Sequence, residues 1–112
     1  MNQRDKLIVK YAEDLRSRFK VEPDMELLKK VTIACGPAIY NRDSATISSS
    51  EESELERVKI KFMVGKLQLD PDMDLDTVLL SYLNVYGRTH RTKYRVVIYY
   101  LLVKHFGKED IY

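Results

Sequence analysis

Few residues in this chain have the types and spacing to do chemistry. Arg88, His90, Arg91, Lys93 and Arg95 gather just before the last apolar segment, interleaved with Thr89, Thr92 and Tyr94. Free N–H groups at a helix start, flanked by cations, attract phosphate and other anions. The threonines and the tyrosine add hydrogen bonds and a stacking face of the kind that nucleic acids use. Arg88, Arg91, Lys93 and Arg95 are therefore the candidate anion- or nucleic-acid-binding residues. The competing reading is structural: cations here offset the negative end of the preceding helix dipole and keep an exposed turn soluble. A second candidate is the polar loop of Asn41, Arg42, Asp43 and Ser44, with Ser48, Ser49 and Ser50 beyond it. Loops of this composition form ligand sites. The structural alternative is an arginine at the loop base, paired with Asp43, that pins the loop to the rest of the fold.

Other chemistries find less support. Asp70, Asp72, Asp74 and Asp76 alternate like calcium ligands. Counted from Asp70, however, the sixth and twelfth positions of a calcium loop hold Leu75 and Ser81, where Gly and Glu are needed. Acidic residues in a first helical turn are an ordinary alternative. Cys35 lies on an apolar helix face with no base near it in sequence, which reads as an inert thiol. His90 and His105 have no partner at metal-ligand spacing. There is no Gly-rich phosphate loop and no nucleophile–base–acid arrangement. Neither a metal, a cofactor nor an enzymatic activity is expected.

These residues must be positioned by helices. Leu7, Ile8, Tyr11, Leu15 and Phe19 recur at spacings of three and four and predict a helix over 4–20. Met25, Leu28, Val31, Thr32 and Cys35 predict a second, kinked or broken at Gly36-Pro37 and ending near Asn41, because proline costs about 3 kcal/mol or more inside a helix. Residues 41–50 form the one long polar connection. Ser49-x-x-Glu52, or Ser48-x-x-Glu51, has capping-box spacing for a third helix with Leu55, Val58 and Phe62 on its apolar stripe. Asp70-Pro71 or Asp72 opens a fourth, with Leu75, Val78, Leu79, Tyr82 and Tyr86 facing inward and Gly87 as its left-handed cap. Thr89 or Thr92 is placed to cap the last helix, which Gly107 ends.

That last helix carries Val96 to Val103 without a charge. A helix apolar all round must be surrounded, so the fold is expected to be all-α: a compact, single-domain bundle of about five helices around a buried C-terminal helix. A strand is the rival for Val96–Tyr100, but no second stretch offers it a partner. The run is far shorter than the ~20 residues needed to cross a bilayer. The chain has 112 residues, 45% apolar and 32% charged, a net charge of +2 and one cysteine. The charge is too small to imply a polyanionic partner by itself, and the lone cysteine suits a reducing compartment. A cytoplasmic protein without membrane association is expected.

Several short motifs together resemble a small bacterial family known as domain of unknown function 2853. They are Asn41-Arg42-Asp43-Ser44 with the serines after it, Glu54-Leu55-x-Arg57-Val58, Arg91-Thr92-Lys93, and Tyr99-Tyr100-Leu101-Leu102 followed by Phe106-Gly107-Lys108. Where the family carries an aliphatic residue after the glycine of the second helix, this chain has Pro37. The resemblance implies a small all-helical protein and supplies no activity. The expected function is thus non-catalytic: an interaction or structural protein, self-associating or binding a protein partner through a face containing Tyr82, Tyr86, Tyr94, Tyr99 and Tyr100. The alternative is an anion- or nucleic-acid-binding module built on the basic junction.

Overall fold

The computed structural model describes residues 1–87 and 89–112 of the chain. Five α-helices are found among them: α1 (Gln3–Ser17), α2 (Met25–Cys35), α3 (Glu52–Arg57), α4 (Leu75–Tyr86) and α5 (Arg95–His105). There is no strand among the described residues, and the fold is all-α. The expected helix 4–20 stops at Ser17, and Lys20 turns the chain with a φ of 57°.

The helix starts follow simple capping chemistry. Asn2 Oδ1 accepts from Asp5 N at 2.8 Å, Asp24 Oδ1 from Leu27 N at 3.2 Å, and Asp74 Oδ1 from Thr77 N at 3.2 Å. Each satisfies one of the N–H groups that a helix leaves unpaired at its start. The fourth helix therefore opens at Leu75 behind Asp74, later than Asp70-Pro71 or Asp72. Asp70 instead accepts the Asp72 N–H at 2.9 Å in a local turn. Two expected caps are not used. The N-cap of α3 is Glu51 and that of α5 is Tyr94, each without a side-chain cap bond. Ser48 Oγ instead shares a hydrogen bond with Ser50 Oγ.

The break at Gly36-Pro37 is a change of helix type. Gly36 takes φ 63° and ψ −146°, a conformation that only glycine adopts without strain. Residues Gly36–Tyr40 then continue as a 3-10 helix with Pro37 in its first turn, where the missing N–H has no bond to lose. The third helix also changes type, against the expectation of a continuous α-helix. After α3 the chain widens into a π-helix over Val58–Lys66. Its last bond runs from Leu67 N to Phe62 O at 2.9 Å, a five-residue spacing. That spacing brings Val58 and Met63, then Phe62 and Leu67, onto the buried side together. Phe62 lies on the Tyr99 ring of α5 with centroids 3.6 Å apart and planes within 10°.

α5 is the buried axis of the fold, packed against α1, α2 and α4. Val96–Ile98 and Tyr100–Val103 are all buried. Each aliphatic side chain removed from water there contributes roughly 1.5–3 kcal/mol before conformational entropy is subtracted. Tyr82, Tyr86, Tyr94, Tyr99 and Tyr100 line or border this interior. Tyr86 and Tyr100 are buried, and Tyr82, Tyr94 and Tyr99 are half-buried. Their hydroxyls reach polar rims. Tyr100 accepts the Asp24 N–H at 2.8 Å, tying the start of α2 to α5. Tyr86 donates to Asp14 Oδ2 at 2.8 Å, and Tyr82 bonds His105 Nδ1 at 3.0 Å. No helix of the described residues is long and apolar enough to cross a membrane.

Candidate functional site

The polar loop and the basic junction, half a chain apart in sequence, are joined by backbone. Thr46 and Tyr94 form an isolated antiparallel bridge. Its two bonds run from Ile47 N to Lys93 O and from Arg95 N to Ala45 O, each 2.9 Å. Ile47 anchors the loop from below and is 1% exposed. The polar residues on either side of the bridge therefore face one another across a common opening.

Arg95 locks this arrangement. Its Nε donates to Ser44 O at 2.7 Å and its Nη1 to Tyr99 Oη at 3.0 Å. Its Nη2 donates to Thr46 O at 3.3 Å and to the Glu54 carboxylate. The guanidinium thus reaches two loop carbonyls, α3 and its own helix, using the fixed fork that distinguishes arginine from lysine. Burial opposes its charge, but the neighbouring Tyr99 and Glu54 outweigh that and raise its pKa further. Glu54 also accepts from Arg57 Nη1 at 3.0 Å, so both its oxygens are engaged. The buried Glu54 side chain is thus faced by two cations, the arrangement that offsets the desolvation cost of a buried ion pair.

Two of the four candidate anion-binding residues, Arg95 and Lys93, have partners within the protein. Arg95 spends its donors on the loop, on Tyr99 and on Glu54. Lys93 is 4% exposed, and its Nζ donates to the His90 carbonyl. Both help hold the junction's own backbone, and the charge of Arg95 is also paired with Glu54. Arg91 is exposed. Arg88 lies outside the described residues. In the loop, Asn41, Arg42 and Asp43 are exposed, and Ser44 is partly buried. Ser44 Oγ donates to Ala38 O at 2.8 Å, and Asp43 N donates to Asn41 Oδ1 at 3.0 Å. The expected pairing of an arginine with Asp43 is not what pins the loop. Arg95 does that, through backbone carbonyls. Arg42 and Arg91 take part in no ion pair among the described residues.

The opening between loop and junction is a cleft of about 1110 Å³. Residues 39–43 and 45–51 line one side, residues 89–94 the other, and Leu7, Glu54 and Arg57 complete it. Ser48, Ser49, Ser50, Thr89 and Thr92 supply hydroxyls around it. Ser48 and Ser50 share a hydrogen bond of 3.2 Å. Two contributors escape sequence reasoning. Glu54 reads there as an ordinary acid near a helix start, although it stands beside Arg57 in one of the family motifs. Tyr40, 49% exposed at the cleft, follows the proline break and carries no pattern of its own.

The remaining candidates are quiet. Burial pushes the Cys35 thiol up to about 11, although Arg95 and Lys66 pull it down. At neutral pH it holds its proton and is a poor nucleophile. Among the described residues no three His, Cys, Asp or Glu side chains come close enough to hold a metal ion. His90 lies on the Tyr86 ring with planes within 3°.

A family model described as a protein of unknown function, DUF2853, matches residues 10–110, and the chain belongs to that family. No curated protein matches the chain.

Proposed function

We propose that this family member is a non-catalytic binding protein whose cleft between residues 39–51 and 89–94 takes an anionic ligand. One observation carries the reading. The cations that build the cleft, Arg95 and Lys93, are spent on protein groups, whereas Arg42 and Arg91 remain exposed at its edges. Arginine binds phosphate and carboxylate through paired parallel hydrogen bonds, and the serine and threonine hydroxyls add neutral donors. The floor is fixed by the Thr46–Tyr94 bridge, so little ordering cost falls on binding. The protein acts in the cytoplasm of a bacterial cell, a placement supported by its lone cysteine and its family resemblance.

Inorganic pyrophosphate is a suitable probe because it carries charge and nothing else. Added to the protein at low salt, it should shift the backbone amide resonances of residues 40–51 and 89–94 and spare those of α2 and α4. The response should weaken as salt rises, as charge-driven binding requires. Shifts scattered evenly over the surface, or none at low salt, would remove the proposal.

A further inference from the structure

The lining of the cleft carries more than positive charge, and from it we infer the class of ligand: a ribonucleotide, either free or as an unpaired residue of RNA. This deepens the anion-binding reading and rests on it. Three features of the cleft decide the class. Arg42 and Arg91 supply sites for phosphate. Asp43 and Glu51 also face the cleft, and a carboxylate only accepts hydrogen bonds. A ligand made solely of anionic acceptors, such as pyrophosphate, can pair with the arginines but leaves these two carboxylates without a donor, so it binds less tightly than one that brings donors. A ligand that also brings donors, such as ribose hydroxyls and base amino groups, would satisfy them. The third feature is Tyr40. An exposed aromatic ring at a polar cleft is a stacking platform for a base, and stacking tolerates any base because each has a π-face.

The ribose matters in this arrangement. A 2′-hydroxyl is both donor and acceptor and is what distinguishes RNA from DNA at a given contact. Asp43, Glu51 and the serine hydroxyls give it partners of either kind. The binding is a non-covalent docking, and no bond of the nucleotide is made or broken.

Calorimetric titration tests the assignment with four probes: adenosine monophosphate, a short single-stranded oligoadenylate, its deoxy counterpart and inorganic pyrophosphate. Both ribo probes should bind more tightly than pyrophosphate, and the deoxy strand should bind about fivefold less tightly than the ribo strand. Tyr40→Ala, a change at an exposed position, should weaken the ribo probes roughly 5- to 100-fold and leave pyrophosphate unchanged. Equal affinity per site for the mononucleotide and the strand identifies a free nucleotide. Tighter binding of the strand identifies RNA. Either result supports the class. If pyrophosphate shifts the cleft resonances but the nucleotides bind no more tightly, or if Tyr40→Ala weakens neither ribo probe, the nucleotide assignment is overturned and the anion site stands. If pyrophosphate itself does not bind, both readings fall. Preferential binding of a glutamate-rich peptide would also overturn the nucleotide assignment.

Discussion

Arg95 and Glu54 meet as a buried ion pair across 41 residues of chain, and the pair joins the start of α5 to α3 over the base of the polar loop. The side chains are only 15% and 11% exposed. A cation at this junction therefore acts inward, on the architecture of the cleft.

The first prediction concerns that pair. Removing one member of a buried pair leaves the other charge without compensation, which costs about 3–5 kcal/mol. Arg95→Ala should lower stability by that amount in urea denaturation. Arg95→Lys should recover little, since an ammonium cannot serve Ser44, Thr46, Tyr99 and Glu54 together. Arg91→Ala, at an exposed position, should stay within about 0.5 kcal/mol of the parent. Equal effects at 95 and 91 would mean that Arg95 does not hold the loop.

Tyr100 supports α2 from inside the fold. Its hydroxyl accepts the N–H of Asp24, itself the N-cap of α2. Tyr100→Phe keeps the ring and loses the acceptor, so about 1 kcal/mol should disappear. Amide hydrogen exchange should accelerate at residues 24–28 more than at α4. An unchanged exchange pattern would show that the bond contributes nothing.

Gly36 is expected to be intolerant for a backbone reason alone. A Cβ added there meets nothing within 4 Å, so crowding is not the obstacle. The positive φ is, and Gly36→Ala should cost about 1–3 kcal/mol. A neutral result in thermal denaturation would show that the 3-10 turn relaxes to an ordinary helix.

Alkaline pH should destabilise the protein in a defined window. Burial raises the Cys35 thiol from 9.0 to about 11, and it pushes the Tyr11 and Tyr86 hydroxyls above their ordinary 10.0, with Asp14 adding to the rise at Tyr86. Below pH 9 both states keep these protons and nothing is lost. Between 9 and 11 the unfolded chain releases the Cys35 proton while the folded chain retains it. The folded state then binds more protons, so stability falls as pH rises, by up to about 1.4 kcal/mol per pH unit for each group. The tyrosines steepen the fall above pH 10. Cys35→Ala should flatten the urea midpoint between pH 9 and 10. A slope identical to the parent's would contradict the thiol's burial.

The helical class, the buried last helix and the break at Gly36-Pro37 were legible because apolar spacing and proline geometry are local properties. Val96–Val103 has no charged residue, and that alone requires neighbours on every side. The π-helix over Val58–Lys66 was not legible. Leu55, Val58 and Phe62 fit a 3.6-residue period, and the wider turn accompanies a tertiary contact, Phe62 on Tyr99, that no local pattern announces. The cleft was half legible. Its two polar segments stand out by composition, yet nothing in either says that Thr46 pairs with Tyr94. The junction's cations look alike in sequence. Only burial separates Lys93 and Arg95, which hold backbone, from Arg91, which faces solvent.

That separation is most directly tested by pyrophosphate affinity in the double variant Arg42→Ala/Arg91→Ala. The variant should unfold at the same urea concentration as the parent and bind pyrophosphate at least about tenfold more weakly at low salt, with the amide shifts at residues 40–51 lost. A folded double variant that retains the parent's affinity and shifts would contradict the placement of the ligand between these two arginines.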